Sequence, residues 1–459
     1  MTKASLIVIA GMAIFRVFLA SHIPLNDDEM YYWIWSRHLA YGYVDHPPIV
    51  AWLIAATSFA GKSALAIRSA FIICLAAAAI AVGRAALAFG ASREGASAAA
   101  ILFALIPSQD ILIGEAKPDP PYLLCWALAL LFAARAAKGK RRQDFLYLGL
   151  ALAGATLARF FGWALVAGIL GWALTSSGRP LRRGLWLSFA VLGALYAPFV
   201  FWNATHHWMN FVFTFAGRQG FALHPIGWFE TWDAKRNFLY GIALMALIWR
   251  LARPDRALLA WTGLPMAAVL TLLQPFQSVL LYWFFGPVTS LCVALGPWIA
   301  ENKNISRKVL LVLWAGGSAV TMALLAATAV RPGAFYFGEF AFTSLAKDVR
   351  GLGADQPRVT ITDAFGVAAP LQFNGIPALL IGNNPEAPQW RQWYGDRVPK
   401  RALFVTREPA NADTLRVLAR TFSHVVPGPV LAYRTISAES RVKFYTAWCD
   451  GARLKRFSQ

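Results

Sequence analysis

The chain has 459 residues, of which 58% are hydrophobic and 14% charged, and its formal net charge is +20. This much apolar sequence exceeds what one soluble core needs, which excludes an ordinary soluble domain and predicts a polytopic α-helical membrane protein. The lysines and arginines fall mainly in short runs between apolar segments, a pattern that sets membrane orientation and argues against nucleic-acid binding. Three of the four cysteines lie inside apolar runs, so no disulfide framework is predicted.

The first 330 residues divide into about eleven apolar runs, each close to the roughly 20 residues that a membrane-spanning helix needs. The predicted spans are residues 5–24, 66–89, 95–113, 121–137, 144–159, 161–176, 185–202, 237–250, 257–274, 279–299 and 309–330. Arg16 interrupts the first run and no cleavage site with small residues follows it. We therefore expect an uncleaved first span rather than a secretory signal.

The short apolar segment 49–61 is ambiguous. It is too brief to cross the bilayer, and Lys62 and Arg68 follow it. We expect a helix lying at the membrane interface. If it spans instead, the topology after it must be redrawn.

Basic clusters occupy alternate connections between the predicted spans, for example Lys140, Arg141 and Arg142. The positive-inside rule makes these the cytoplasmic loops and places the N-terminus in the cytoplasm. The acidic loop 26–61, the connection 203–236 and everything after residue 331 then face outward. We expect a transmembrane catalytic domain over residues 1–330 and an outward-facing domain over 331–459.

The tail after residue 331 has a different pattern, because its apolar runs shrink to the length of β-strands. These runs are residues 358–362, 378–381 and 401–406. Segments with helical periodicity separate them, at residues 340–351, 364–373 and 411–422. The tail is therefore predicted to be a small α/β domain.

The acidic loop holds the first candidate for chemistry. Asp27, Asp28 and Glu29 follow the first predicted span directly. A carboxylate at the membrane surface can take a proton from an incoming hydroxyl, and Asp28 is the candidate general base. Acids also favour helix N-termini, so the same residues could simply cap the helix that begins near Met30. Spacing alone does not decide between the two interpretations.

Asp45 and His46 are the next candidates, held before Pro47-Pro48, which fixes the backbone. A carboxylate beside an imidazole can ligate a divalent ion or contact phosphate, although a surface turn is the commoner use of such residues. If a divalent ion is present, Asp45 and His224 are its candidate ligands. No other cofactor is indicated.

Cations and aromatic residues in the outward loops are candidates for binding. Lys117 and Arg218 could contact an anionic headgroup, together with His46, or could only neutralise nearby acids. Aromatic rings at this level are usually interfacial belts, but they also stack on sugars. The candidate substrate-binding residues are Glu29, Tyr31, Tyr32, Asp119, His224 and Tyr282.

The run from Asp28 to Leu53, with its Asp45-His46-Pro47-Pro48 step, resembles the first outer loop of GT-C glycosyltransferases. The closest branch is the bacterial one similar to dolichyl-phosphate-mannose–protein mannosyltransferases, which includes the aminoarabinose transferases of lipid A. Weaker similarity extends through residues 119–124 and 202–208, and the tail resembles the small periplasmic domain of these enzymes.

The resemblance implies a GT-C fold and a polyprenyl-phosphate sugar donor. It places Asp28 at the catalytic carboxylate and Asp45 at the second acid. His46 stands where some relatives carry a lysine that contacts the donor phosphate. Tyr31 stands where aminoarabinose transferases carry an arginine, which argues against that particular sugar.

The predicted function is a bacterial inner-membrane glycosyltransferase that acts on the periplasmic face and inverts the sugar. The implied partners are the donor lipid, membrane lipids, and an acceptor that is lipid A, lipopolysaccharide core, another glycan or a protein. The alternatives are a polyprenyl-lipid transporter or flippase and a catalytically silent lipid-binding relative. Transporters usually place ionisable groups at mid-membrane with repeat symmetry, whereas these groups cluster in outward loops.

Overall fold

The computed structural model describes residues 1–59, 61–139, 141–217, 231–251, 256–276, 279–330, 341–352, 359–382, 384–434 and 441–457. The N-terminal part is helical. Its first ten helices are α1 (Lys3–His22), α2 (Asp27–Arg37), α3 (Ile49–Thr57), α4 (Ala64–Ala88), α5 (Arg93–Ala104), α6 (Gln109–Ile113), α7 (Asp119–Gly139), α8 (Arg142–Ala158), α9 (Gly162–Leu174) and α10 (Arg179–Thr205). The later ones are Met209–Val212, Trp232–Leu251, Ala257–Leu273, Phe285–Glu301 and Ile305–Val330, with a π-helix at Phe213–Gly217 and a 3₁₀ turn at Leu281–Phe284.

Each predicted span falls on helical residues, but one span is divided between two helices and the helices differ in length. In the described part of the chain, six are long and apolar enough to cross a membrane: Lys3–His22, Ala64–Ala88, Asp119–Gly139, Arg179–Thr205, Leu281–Glu301 and Ile305–Val330. Gly162–Leu174 and Ala257–Leu273 are apolar but shorter. The chain therefore has the composition of a multi-pass membrane protein, while the count of eleven spans stays a prediction.

One predicted span is interrupted. The segment 95–113 is not one helix, because α5 ends at Ala104 and α6 begins only at Gln109. Pro107 lies between them and cannot donate a backbone hydrogen bond to continue α5. The segment 49–61 is helical only over α3, which has nine residues. At about 1.5 Å per residue, α3 is too short to span a bilayer core about 30 Å thick.

The helix Phe285–Glu301 lies at the centre of the bundle, where every residue from Phe284 to Pro297 is buried. It packs against α5, α7 and α4, and α7 packs in turn against α4 and α8. At the crossing with α5, a Cβ added to Gly296 would collide with the backbone of Gly95 and Ala99. Glycine therefore permits the close approach of these two helices.

Arg16 of α1 points into the bundle. Its guanidinium donates to the backbone carbonyls of Ala104 (3.1 Å) and Ile111 (3.0 Å), and its side chain is buried. These carbonyls belong to the end of α5 and to α6, where the helix interruption leaves backbone oxygens unpaired by helical bonds. Arg16 thus stabilises the break between α5 and α6.

The tail forms a mixed sheet covered by helices. Its strands are β1 (Val359–Thr362), β2 (Ala378–Leu380), β3 (Arg401–Thr406), β4 (Phe422–Pro427), β5 (Leu431–Arg434) and β6 (Arg441–Ala452), and its helices are Ala341–Leu352, Phe365–Phe373, Ala387–Tyr394 and Ala412–Thr421. The main sheet has the order β2-β1-β3-β6-β4, with β5 paired to β6. Strands β1, β2 and β3 are parallel, whereas β6 is antiparallel to its neighbours.

The predicted α/β tail is confirmed, and the three predicted strands match β1, β2 and β3. Strands β4, β5 and β6 and the helix Ala387–Tyr394 extend it. The tail packs against α2, since residues of both share one apolar cluster that includes Tyr31, Trp35, Val367 and Trp390. The division at residue 331 stays a prediction, because residues 331–340 lie outside the described part.

Candidate active site

The acidic turn begins α2 with a reciprocal pair of capping bonds. The Asn26 side chain accepts the Glu29 N–H (2.8 Å), and the Glu29 carboxylate accepts the Asn26 N–H (3.1 Å). This capping box satisfies two amide donors that the start of a helix leaves unpaired. The helix-capping alternative is therefore realised by Glu29 and Asn26, and it does not use the side chain of Asp28.

Glu29 is fully buried and ion-paired with Arg68 of α4. The Arg68 Nε and Nη2 atoms lie 2.6 and 2.5 Å from the two carboxylate oxygens, and the Ala116 N–H donates to Oε1 (2.9 Å). Arg68 also donates to the carbonyls of Ile23 and Pro24. These donors give the Glu29 carboxylate a structural role, and the substrate-binding role expected from the sequence stays a prediction.

Asp28 has a different environment, although it is adjacent in sequence. Its side chain is half-buried, and within the described residues no hydrogen bond reaches its carboxylate. Burial raises the pKa of Asp28 to about 7, and the negative charges of Asp27, Asp45 and Glu115 act in the same direction, while Lys117 opposes them. An unbonded carboxylate with a pKa near neutrality is suited to accept a proton.

Lys117 is enclosed by acids. Its Nζ lies 2.7 Å from Glu115 Oε2 and 3.0 Å from Asp110 Oδ1, and Asn26 donates to the same Glu115 oxygen (2.9 Å). Although burial opposes it, the charges of Glu115, Asp110 and Asp28 hold the pKa of Lys117 well above its usual value. Lys117 therefore stays charged beside Asp28, and it serves first to neutralise the acids of this loop.

Asp45 and His46 are both buried, and the His46 Nε2 lies 3.7 Å from the Asp45 Oδ1. The ring of Tyr32 lies 5.9 Å from that of His46. Asp45 is close enough to Asp28 for its charge to raise the pKa of Asp28. The two predicted acids thus lie within electrostatic reach of one another, and His46 and Tyr32 lie on the Asp45 side.

The described residues do not provide a complete set of ligands for a divalent ion. Among the described residues no group of three or more His, Cys, Asp or Glu side chains could hold a metal ion. Asp45 and His46 alone do not make a ligand set. Two sequence candidates, His224 for metal or substrate and Arg218 for phosphate, lie outside the described residues.

A second polar cluster lies at the start of α7. Arg159, which follows α8, is ion-paired with Asp119 through its Nη1. The guanidinium also lies over the rings of Phe161 (5.2 Å) and Tyr282 (5.1 Å). Burial raises the pKa of Asp110, and the negative charges of Glu115 and, more weakly, Asp119 act in the same direction, while Lys117 opposes them. This cluster therefore interacts electrostatically with the acidic loop. The structure therefore connects two sequence candidates, Asp119 and Tyr282, through one arginine.

Sequence reasoning did not select Arg159, although a signal was present. Arg159 is a single arginine at the junction between the predicted spans 144–159 and 161–176. The connection between these two spans is predicted to face outward, on the side opposite to the basic clusters. A lone arginine on that side rarely sets the orientation of the chain in the membrane. It indicates a functional or structural contact instead.

Tyr31 lies beneath the tail rather than in an open pocket. Its ring is 4.7 Å from Phe365, 5.0 Å from Trp35 and 6.2 Å from Trp390, and only 1% of the residue is exposed. Burial raises its pKa well above the usual value, and the nearby charges of Glu386 and Asp45 add to this. Tyr31 thus links the acidic loop to the tail.

An apolar groove of about 780 Å³ runs along α10. It is lined by aliphatic and aromatic side chains: Trp163, Phe189, Leu192, Tyr196, Val200, Phe201 and Trp208, with Gly193, Ala197 and Ala204. These lining residues do not include the acids of the loop 26–48. Because its lining is apolar, the groove is suited to contact with a hydrocarbon chain.

The chain is similar to known proteins both in sequence and in fold. The family described as dolichyl-phosphate-mannose-protein mannosyltransferase matches residues 45–202. A lipid A galacturonosyltransferase from Rhizobium johnstonii is 24% identical over 306 residues, which cover 61% of this chain and 62% of that protein. The chain therefore spans less than two thirds of the length of this relative.

Solved structures match over nearly the whole chain. ArnT from Cupriavidus metallidurans bound to undecaprenyl phosphate has a TM-score of 0.63 at 14% identity, covering 97% of this chain and 98% of that one. The oligosaccharyltransferase of Archaeoglobus fulgidus has a TM-score of 0.52 at 12% identity, covering 92% and 70%. Together with the family match, these likenesses confirm the resemblance seen in the first outer loop: the chain has the GT-C fold of membrane glycosyltransferases.

Proposed function

We propose that this chain is an integral-membrane glycosyltransferase that moves a sugar from a polyprenyl-phosphate donor to an acceptor of the cell envelope, on the periplasmic face. The observation that carries the proposal is Asp28, a carboxylate without a hydrogen bond among the described residues, with its pKa raised to about 7. The named activities of the Rhizobium relative and the undecaprenyl phosphate bound by ArnT support the same substrate classes.

The proposed reaction is a single displacement. Asp28 accepts the proton of the acceptor hydroxyl as that oxygen forms a bond to the anomeric carbon. The bond from the anomeric carbon to the phosphate oxygen breaks, and the electron pair leaves with the polyprenyl phosphate. Attack from the opposite face inverts the anomeric configuration.

Charge on the departing phosphate needs positive groups nearby. Lys117 lies beside Asp28, and Arg159 lies over Tyr282 next to Asp119. An arginine can bind phosphate oxygens with two parallel N–H groups, whereas lysine acts as a point charge. We assign phosphate stabilisation to these two cations, and His46 and Arg218 stay candidates from the sequence.

The apolar groove on α10 offers a place for a lipid chain. Its lining includes Trp208, and two residues further along the chain Asn210 donates to the backbone of Val44, next to Asp45. The segment that follows α10 thus connects the groove to the loop that carries Asp45. A lipid acceptor such as lipid A and the donor lipid both fit this chemistry.

The test is transfer by the purified full chain from a radiolabelled polyprenyl-phosphate sugar to an envelope lipid extract. The Asp28→Asn variant should lose about 10²- to 10⁴-fold in rate, the usual contribution of a positioned base. Asp413→Asn, an exposed acid of the tail, is the control and should transfer at the wild-type rate. Wild-type transfer by Asp28→Asn would remove the assigned base, and an inactive wild type that binds the donor lipid would favour a silent lipid-binding relative.

A further inference from the structure

The backbone just before Asp45 is held from two sides by buried amide side chains. The Val44 N–H donates to Gln389 Oε1 (2.9 Å). Asn210 Nδ2 donates to the carbonyl oxygens of Tyr43 (2.6 Å) and Val44 (3.1 Å). The hydrogen-bonding groups of the Tyr43–Val44 peptide are thus paired with side chains rather than with a neighbouring strand.

The two amides come from distant parts of the chain. Gln389 belongs to the tail helix Ala387–Tyr394, and Asn210 belongs to the short helix Met209–Val212 after α10. Gln389 is 2% exposed and Asn210 is 0% exposed. Since a buried polar group that loses its partner carries a desolvation penalty, each contact fixes the loop more firmly than a surface hydrogen bond would.

The other side of Asp45 is rigid as well. Pro47 and Pro48 follow His46 and restrict the backbone there. Before the loop, the Tyr43 ring stacks on Trp35 of α2 at 4.4 Å, and its hydroxyl donates to the Trp35 carbonyl (3.1 Å). Asp45 and His46 therefore lie between a pinned peptide and a stiff proline pair.

We infer that Gln389 and Asn210 are positioning residues that set the place of Asp45, and that the tail is thereby a working part of the catalytic unit. This inference rests on the proposed function. Gln389 Oε1 and Asn210 Nδ2 are both bonded to the backbone of residues 43 and 44, which is why we assign the two side chains a positioning role. A misplacement of about 1 Å at a reacting group can cost about 100-fold in rate, which is the effect that such pinning prevents.

Hydrogen–deuterium exchange tests the positioning independently of the reaction. In the full chain, Gln389→Met removes the acceptor of the Val44 amide with little change in volume, and that amide should exchange about tenfold faster. Gln372→Met is the matched control, since Gln372 accepts the Ala378 N–H (3.1 Å) within the tail itself. Gln389→Glu keeps an accepting oxygen and should retain protection of Val44.

Transfer kinetics supply the second measurement. Gln389→Met and Asn210→Leu should each lower kcat by about 10- to 100-fold with little change in KM for the donor, while Gln372→Met keeps the wild-type kcat. In an Asp45→Asn background the same substitutions should add almost no further loss, because they act through Asp45.

Unchanged exchange at Val44 in Gln389→Met would overturn the inference. So would losses in Gln389→Met that add fully to that of Asp45→Asn, since they would show a separate, structural effect. A wild-type chain without transfer would instead overturn the proposed function, and the exchange measurement would still decide whether the tail holds the loop.

Discussion

The three consecutive acids at the start of α2 have different surroundings. Glu29 is enclosed by Arg68 and backbone donors, whereas Asp27 accepts the Asp28 N–H and lies against Gly366 of the tail. No hydrogen bond reaches the Asp28 carboxylate from the described residues, which is why we propose it as the reactive acid. The sequence predicted a reactive acid and a capping acid in this turn, but spacing alone could not assign them, because Arg68, which selects Glu29, lies 39 residues further along the chain.

The pH dependence of transfer follows from the surroundings of Asp28. Asp28 must be deprotonated to accept a proton, so kcat/KM, which reports the pKa of the substrate-free chain, should rise with pH with a midpoint near 7. Lys117→Met removes the positive charge that lowers this pKa and should move the midpoint to higher pH. Asp27→Asn removes a negative charge that raises the pKa and should move it to lower pH. Rate profiles from pH 5 to 9 check both, and identical midpoints in all three proteins would contradict the assignment of Asp28.

Stability provides a separate measurement at the same residue. The folded chain keeps the Asp28 proton up to pH about 7, whereas the carboxyl of the unfolded chain loses it near its ordinary value of 3.8. The contribution of Asp28 to stability is therefore fully present below about pH 3.8 and is lost as pH rises through about 7.

Asp28→Asn, which is uncharged at every pH, should accordingly raise the unfolding temperature at pH 8 relative to wild type. The two proteins should converge as the pH falls to 4. Thermal unfolding in detergent at the two pH values measures the difference. A lower unfolding temperature for Asp28→Asn at pH 8 would show that its carboxylate is needed structurally.

At the scale of helices, one buried ion pair joins several elements. Arg68 of α4 contacts Glu29 of α2 and the two carbonyls after α1, and Glu29 accepts the Ala116 N–H of the next outward loop. The pair therefore fixes the place where the first outer loop leaves the bundle. This junction therefore positions the acids at the start of α2.

Glu29→Gln should destabilise the chain by about 3 to 5 kcal/mol, because it leaves the Arg68 guanidinium buried without its counter-charge. The control is Asp413→Asn, which breaks an exposed pair with Arg416 and should leave the unfolding midpoint unchanged. Thermal unfolding at pH 7 compares the three proteins. A midpoint for Glu29→Gln equal to that of the control would mean that the junction does not depend on this pair.

Sequence patterns predicted the helices well where apolar runs are long. They predicted poorly the features that depend on contacts between residues distant in sequence. The interruption between α5 and α6 is signalled locally by Pro107 and by the polar residues 108–110, although apolar residues lie on both sides of it. Strands β4, β5 and β6 depend on one another for pairing, and no single one of them has a decisive local pattern. Arg159 is likewise defined by its partners, Asp119 and Tyr282, rather than by its neighbours in sequence.

At the scale of the whole molecule, the tail covers the acidic loop. His38 stacks on Trp393 at 4.8 Å, Tyr31 lies against Phe365, and Lys62 donates to the Phe373 carbonyl (2.7 Å). Contacts from several tail elements thus converge on the segment between α1 and α4. The tail must therefore lie on the same side of the membrane as the acidic loop.

Cysteine labelling in whole cells tests this orientation. In a chain whose four cysteines are replaced, Arg416→Cys in the exposed part of the tail should react with a membrane-impermeant maleimide once the outer membrane is permeabilised. Arg142→Cys, at the exposed start of α8, should react only after the inner membrane is opened. Labelling of Arg142→Cys before Arg416→Cys would reverse the orientation.

Strand β6 has a consequence for how the chain is made. It pairs with β3, β4 and β5, so the sheet behind Gln389 cannot close until β6 has been synthesised. The helices of the N-terminal part precede β6 in the chain and leave the ribosome before it. If the proposed function and the positioning role of Gln389 hold, a nascent chain that has not yet reached β6 should show no transfer.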